Sequence, residues 1–135
     1  MIELAMDNCD LFRYYNQKGV IDMPFIDSKI TGVVTKEKKD TIKKRLGEAV
    51  SVLGKSEGYL MVGFQDQYDL YLGGNELEKG AFISVSLFGS SSSDAYNQMT
   101  EAICRIYKEE LDIPGDKIYV SYMSTKDWGW NGRNF

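Results

Sequence analysis

The chain has 135 residues, 43% of them hydrophobic and 13% aromatic, with 16 Lys+Arg against 20 Asp+Glu and a net charge of −4. This describes one soluble globular domain with a single ordinary core, and it excludes a disordered chain and a nucleic-acid binder. No apolar run approaches the roughly 18–20 residues of a membrane span, and residues 1–22 lack the basic start and apolar middle of a secretory leader, so a cytoplasmic location is expected.

Residues 1–22 precede the first clear element and read as nothing in particular, apart from a short helical turn around Leu11, Phe12, Tyr14 and Tyr15. A strand is expected from Pro24 to Thr31, with Phe25, Ile26 and Ile30 as β-formers and Gly32 as its end. Thr35 caps a helix that runs to about Leu53. Its apolar residues Ile42, Leu46, Val50 and Leu53 recur at helical spacing, and Gly54 marks the stop. Lysines crowd its first half and form a solvated face. Tyr59 to Phe64 reads as a second strand, followed by a polar, tyrosine-rich connection that turns at Gly73-Gly74. Gly80 to Phe88 alternates and is strongly β in character. The serines at 90–93 cap a second helix, from about Asp94 to Leu111, which buries Tyr96, Met99, Ile103, Ile106 or Tyr107, and Leu111. Pro114-Gly115 breaks it, and Lys117 to Met123 makes another strand.

The order is β-α-β twice over, which predicts an α/β (α+β) fold: a mixed four-stranded sheet with both helices on one face. The other face has no helix over it. Alternating Phe, Ile, Val and Tyr residues there would not stay wet, so oligomerisation is expected.

The chain contains no histidine, and its two cysteines, Cys9 and Cys104, show no ligand spacing. The commonest metal ligand and every His-assisted nucleophile are therefore missing. Catalysis, if present, runs on amines, hydroxyls, carboxylates or the chain terminus, and neither metal nor cofactor is expected. Cys104 reads as a small core residue.

The markers Met23-Pro24-Phe25-Ile26, Gly54-Lys55 followed by Tyr59, Gly73-Gly74, Ala81 to Gly89, Pro114 to Val120, Gly129-Trp130-Asn131 and a terminal Phe135 occur in one order and spacing. From Pro24 to Phe135 the chain resembles the macrophage migration inhibitory factor branch of the tautomerase superfamily. The domain assignment is then residues 23–135, with 1–22 an extension or a mis-called start. The resemblance implies a homotrimer whose sheets form an inner barrel, with sites between neighbouring subunits. It implies Pro24 as catalytic base and Lys55 as the ligand of a substrate carboxylate. Phe88 would offer a backbone amide, and Tyr119 would come from the adjacent subunit. Phe25, Tyr59, Trp128, Trp130 and Phe135 would form an aromatic lining. Ser121 stands where the animal proteins place a site asparagine. Gly80-Ala81-Phe82-Ile83 replaces their CxxC, and Val34 and Gln67 replace the arginine and aspartate implicated in receptor binding, so neither thiol-disulfide activity nor a cytokine role carries over.

The chemistry is consistent with a small 2-keto acid such as phenylpyruvate as partner. A secondary amine has a pKa near 7.7–8.0, close to operating pH. Desolvation and a nearby Lys55 ammonium lower it further. Lys55, the Tyr119 hydroxyl and a backbone N–H can face a developing enolate, and aromatic walls suit an aryl substrate. Each residue also has a structural role open to it. Pro24 can be a sheet-edge proline, Lys55 a cation at a helix C-terminus, and Tyr119 a core tyrosine. Trp128 and Trp130, two apart on one side of a strand, can be core or subunit interface. The serine run can be a capping loop or an anion site.

Everything catalytic depends on the true N-terminus, because a proline nitrogen inside a chain is an amide with no proton to exchange. Lys18-Gly19-Val20-Ile21-Asp22 can be encoded by AAA GGA GTG ATA GAT, which contains a purine-rich AAGGAG ahead of the Met23 codon. A bacterial ribosome-binding site looks like this when translated by mistake. Initiation at Met23 and removal of that methionine would free Pro24. The alternative is a non-catalytic interaction protein with the proline blocked by residues 1–22.

Overall fold

Pro24 opens the first strand, as expected. The structure is a computed structural model that describes residues 23–134; the expectations for residues 1–22 and for Phe135 lie outside the described residues. Strand β1 (Pro24–Ile30) alternates strictly, with Pro24, Ile26, Ser28 and Ile30 buried. Helix α1 (Lys36–Ala49) begins where the Thr35 hydroxyl accepts the Lys38 N–H at 3.2 Å, which satisfies one of the donors a helix start leaves open. It tightens into a 3-10 turn over Val50–Leu53 and stops at Gly54, whose φ of 72° is left-handed backbone that glycine adopts without strain.

Strand β2 (Met61–Gln65) starts two residues later than Tyr59, because Glu57–Tyr59 form a 3-10 turn in which the Ser56 hydroxyl accepts the Gly58 N–H. The Gly73-Gly74 turn joins β3 (Tyr71–Leu72) to β4 (Asn75–Glu76) as a hairpin. Strand β5 (Ala81–Phe88) leads into helix α2 (Ser93–Leu111), where the Ser92 hydroxyl accepts the Ala95 N–H at 3.1 Å. The serine run is thus a cap. Both Ile106 and Tyr107 are buried on α2, while Tyr96 and Leu111 are half-buried. After β6 (Ile118–Thr125), a short hairpin, β7 (Gly129–Trp130) and β8 (Arg133–Asn134), turns at Asn131-Gly132. Trp128 precedes that strand, so the two tryptophans do not share one strand face as expected.

The sheet order is β2-β1-β5-β6, with β1–β2 and β5–β6 parallel and β1–β5 antiparallel. Each parallel pair is bridged by one helix, the expected pair of β-α-β units. Ile26, Ile30, Ile83, Val85 and Leu87 from the sheet meet Ile42, Leu46, Val50, Met99, Ile103 and Tyr107 from the helices in one core. Arg45 of α1 reaches Glu109 and Glu110 of α2 at 2.6 and 3.0 Å on the outside of the pair. These are surface bridges and contribute little beside the core.

The uncovered face corrects one expectation. The isoleucines and valines all turn to the helices, and cross-strand rows on the other side read Met61-Phe25-Ser86-Met123, Gly63-Asp27-Ser84-Ser121 and Gln65-Lys29-Phe82-Tyr119. The middle row is small and polar, and Asp27 accepts a hydrogen bond from Gln65 at 3.0 Å. Apolar surface lies toward the two ends of this face rather than across it.

Under the helices one polar pair is sealed in: the hydroxyls of Ser28, fully buried on β1, and Tyr107, on α2, share a short hydrogen bond. Burial pushes the Tyr107 phenol up to about 12 from its usual 10. Between those pH values the unfolded chain releases the proton and the folded chain keeps it, so stability falls as pH rises through that window. Half-buried Tyr122 is shifted in the same direction. In denaturant titrations at pH 8 to 12, Tyr107→Phe should flatten this alkaline loss. At neutral pH it should cost about 1–3 kcal/mol, by leaving the Ser28 hydroxyl without its partner.

Candidate functional site

The site is built at the end of the sheet where β1 begins. Pro24 is opposite Leu87 in the antiparallel ladder, one residue before the end of β5. The Phe88 N–H donates to the Met23 carbonyl at 3.3 Å, and Met23 is itself only 4% exposed. In the chain with residue 23 attached, the expected backbone amide at Phe88 therefore has an acceptor from the chain itself.

Lys55 comes to this place from α1. The left-handed turn at Gly54 sends the chain back toward the sheet, and the Ser91 hydroxyl donates to the Leu53 carbonyl, tying the turn to the serine loop. The Ser91 N–H donates in turn to the Tyr96 hydroxyl at 3.1 Å. The Lys55 ammonium donates to the carbonyls of Phe88 and Ser90, each at 3.4 Å, and the residue is 8% exposed. A lysine this buried is uncommon, and it persists because oxygen acceptors replace water. Its acceptors belong to the end of β5 and the loop after it, so a solvated cation at the end of α1 does not describe it. The Gly89 N–H, donating to the Thr125 carbonyl at 2.8 Å, holds that loop against β6.

The aromatic residues arrive from the flanks. Tyr59 lies two residues before Met61, which is opposite Phe25, so the parallel register sets Tyr59 beside the start of β1. Its ring meets Trp130 edge-on, with centroids 5.8 Å apart and planes at 83°. The C-terminal hairpin therefore reaches from the end of β6 across to the β2 edge. Phe25 packs across β2, its ring edge over Gly63, and Trp128 lies three residues beyond β6 at the same end, half-buried. Sequence reasoning read the serines at 90–93 as a cap or an anion site, and did not foresee the Ser90 carbonyl as an acceptor for Lys55, the Ser91 tie to Leu53 or the pairing of this hairpin. Asn131-Gly132, with φ of 53° and 85°, carried the signal of a two-residue hairpin turn.

Tyr119 is the exception. Pro24 is level with Leu87 and Ser124, and Tyr119 lies five residues back along β6, about 16 Å at a strand's rise per residue. It is 57% exposed, at the opposite end of the sheet from Pro24. Among the described residues no helix is long and apolar enough to cross a membrane, and no group of three or more His, Cys, Asp or Glu is placed to hold a metal ion.

The family model of macrophage migration inhibitory factor matches residues 23–135. Among solved structures, MIF2 of Leishmania major is similar at 31% identity and a TM-score of 0.78, over 84% of this chain and 97% of that one. A macrophage migration inhibitory factor-like protein of Entamoeba histolytica is 22% identical with a TM-score of 0.75, over 84% of this chain and 99% of that one. A homologue from Prochlorococcus marinus is 24% identical with a TM-score of 0.74, over 82% and 98%. The last two speak for the fold alone.

The Tyr59–Trp130 contact can be read directly. Tyr59→Leu should lower stability by about 0.5–1.5 kcal/mol in a urea titration. It should also shift tryptophan emission to the red, as Trp130 loses its ring partner and meets water.

Proposed function

Because the chain belongs to the macrophage migration inhibitory factor family, we propose that its form beginning at Pro24 is a cofactor-independent keto–enol tautomerase of phenylpyruvate-like 2-keto acids, assembled as a homotrimer. The observation that carries this reading is the buried Lys55 ammonium held on the Phe88 and Ser90 carbonyls, one ladder position from Pro24.

The chemistry needs a base for a proton on carbon and positive charge or donors for the oxygen. The neutral Pro24 amine takes a proton from C3 of the keto acid, the electron pair forms the new C2–C3 double bond, and the carbonyl oxygen becomes an enolate that is protonated to the enol. An apolar surround and a neighbouring ammonium both hold the amine's pKa down, so it is neutral at working pH. Lys55 receives the substrate carboxylate. Removal of Met23 takes away the carbonyl that accepts from Phe88, leaving that N–H directed at the same place. Tyr119 of the partner subunit supplies a hydroxyl to the enolate, an arrangement that its distance from Pro24 within one chain supports. Phe25, Tyr59, Trp128 and Trp130 line the ring-binding side.

A second reading has its own observation. With residue 23 attached, Pro24 has no amine, and buried Met23 occupies the position where substrate would enter. In that form the chain is a non-catalytic member of its family.

Protein that begins at Pro24 should convert enol to keto phenylpyruvate well above the buffer rate, and the full 135-residue chain should be far slower. Equal rates for the two forms overturn the Pro24 mechanism. In the form beginning at Pro24, Pro24→Ala should lose roughly 10²–10⁴ in rate. Lys55→Ala should mainly raise KM for a carboxylate substrate, by an interaction worth about 1.5–3 kcal/mol.

A further inference from the structure

The end of the sheet opposite Pro24 carries an apolar cleft of which the proposed reaction uses only Tyr119. Its lining includes Tyr71, Leu72, Leu77, Phe82, Lys117 and Tyr119, and it holds about 90 Å³. A complete ligand pocket is on the order of 300–1,000 Å³, so this cleft is a wall awaiting a second surface. Tyr71 and Tyr119 are 66% and 57% exposed, and both line it.

Tyr71 is not on a loose loop. The Leu77 N–H donates to the Leu70 carbonyl at 2.9 Å, closing the β3–β4 hairpin below its strands. Leu77 then presses onto Gly80: a Cβ there would lie 2.5 Å from Leu77 Cδ1, so a larger residue would push the Leu77 side chain aside. The Gly80 N–H is held by the Thr31 hydroxyl at 3.0 Å. The hairpin is thereby set on the start of β5, whose Phe82 is level with Tyr119. A ring held on a rigid support binds a flat partner with little loss of conformational freedom.

We propose that Tyr71 is a second aromatic residue that a neighbouring copy brings, with Tyr119, to the Pro24 end of the next chain, where it selects substrates with a flat aryl side chain over short aliphatic ones. The inference rests on the composite tautomerase site proposed above. The second copy closes the cleft, and the substrate ring lies between Tyr71 of the partner subunit and the Tyr59–Trp130 pair.

Two measurements separate the geometry from the catalysis. In the full chain with Cys9→Ser and Cys104→Ser, the double variant Tyr71→Cys, Tyr59→Cys is treated with a short bismaleimide and run on a denaturing gel. Covalent multimers are expected up to a closed trimer, and neither single variant should give them. Only internally linked monomer, or no cross-link, overturns the proposal. In the form beginning at Pro24, Tyr71→Ala should raise KM for phenylpyruvate roughly three- to tenfold, as expected for one lost ring contact. It should leave kcat, and KM for a short aliphatic 2-keto acid, unchanged. Tyr71→Phe should restore the parent value. Equal effects on both substrates, or none, overturn the specificity role while the catalytic reading stands. An inactive parent overturns the catalytic reading and the role of Tyr71 together.

Discussion

A single buried ammonium organises the end of the sheet where β1 begins. Lys55 leaves water almost completely, and the carbonyls of Phe88 and Ser90 replace its hydration. Two features of the fold make that arrangement affordable. The left-handed Gly54 ends α1 so that the next side chain points inward, and the serine loop after β5 is pinned by Ser91 to Leu53 and by Gly89 to Thr125. Neither the lysine nor the carbonyls could hold this geometry alone, because an ammonium without acceptors would not stay buried. The place beside Pro24 therefore holds a buried ammonium.

The second organising fact is one-sidedness. Both helices cover one face of a four-stranded sheet, and every strand sends its aliphatic side chains there. The opposite face keeps a small polar middle row, with apolar side chains toward its two ends. One end holds Phe25, Tyr59 and Trp130 near the lysine, and the other holds Tyr71, Phe82 and Tyr119. A single chain keeps these as two separate clusters. The strand register makes them separate: no side chain spans the distance along β6 between the level of Pro24 and Tyr119.

In the tautomerase reading proposed above, the nitrogen of Pro24 would link chain processing to chemistry. Its strand position is held by the β1–β5 ladder and the core beneath, so the proposal needs no shift of the strand when residue 23 is removed. What changes is the atom itself, amide or amine, together with the Met23 carbonyl that accepts from Phe88. On the tautomerase reading proposed above, one peptide bond would control a proton-transfer group and a hydrogen-bond donor together.

Much of this was legible in the residues. Thr35 and the serine run announced helix starts because their hydroxyls accept from a helix's open N–H groups, and both do so here. Helical spacing of Ile42, Leu46, Val50 and Leu53 identified a core face, and strict alternation from Ala81 to Phe88 identified a strand buried on one side. The ordered markers from Met23 onward were enough to place the chain in its family. Other features depend on contacts between residues distant in sequence. Composition could not say that the isoleucines would all turn to the helices and leave Asp27, Ser84 and Ser121 in a row on the other face, because a one-residue change of register exchanges the two faces. Nor could it distinguish a solvated helix-end lysine from one carried onto carbonyls more than thirty residues away in the chain. Local patterns depend on neighbours three or four residues apart and are written in the chain itself. The acceptors of Lys55, the separation of Tyr119 from Pro24 and the support beneath Tyr71 are set by which strands pair, which only the folded chain determines.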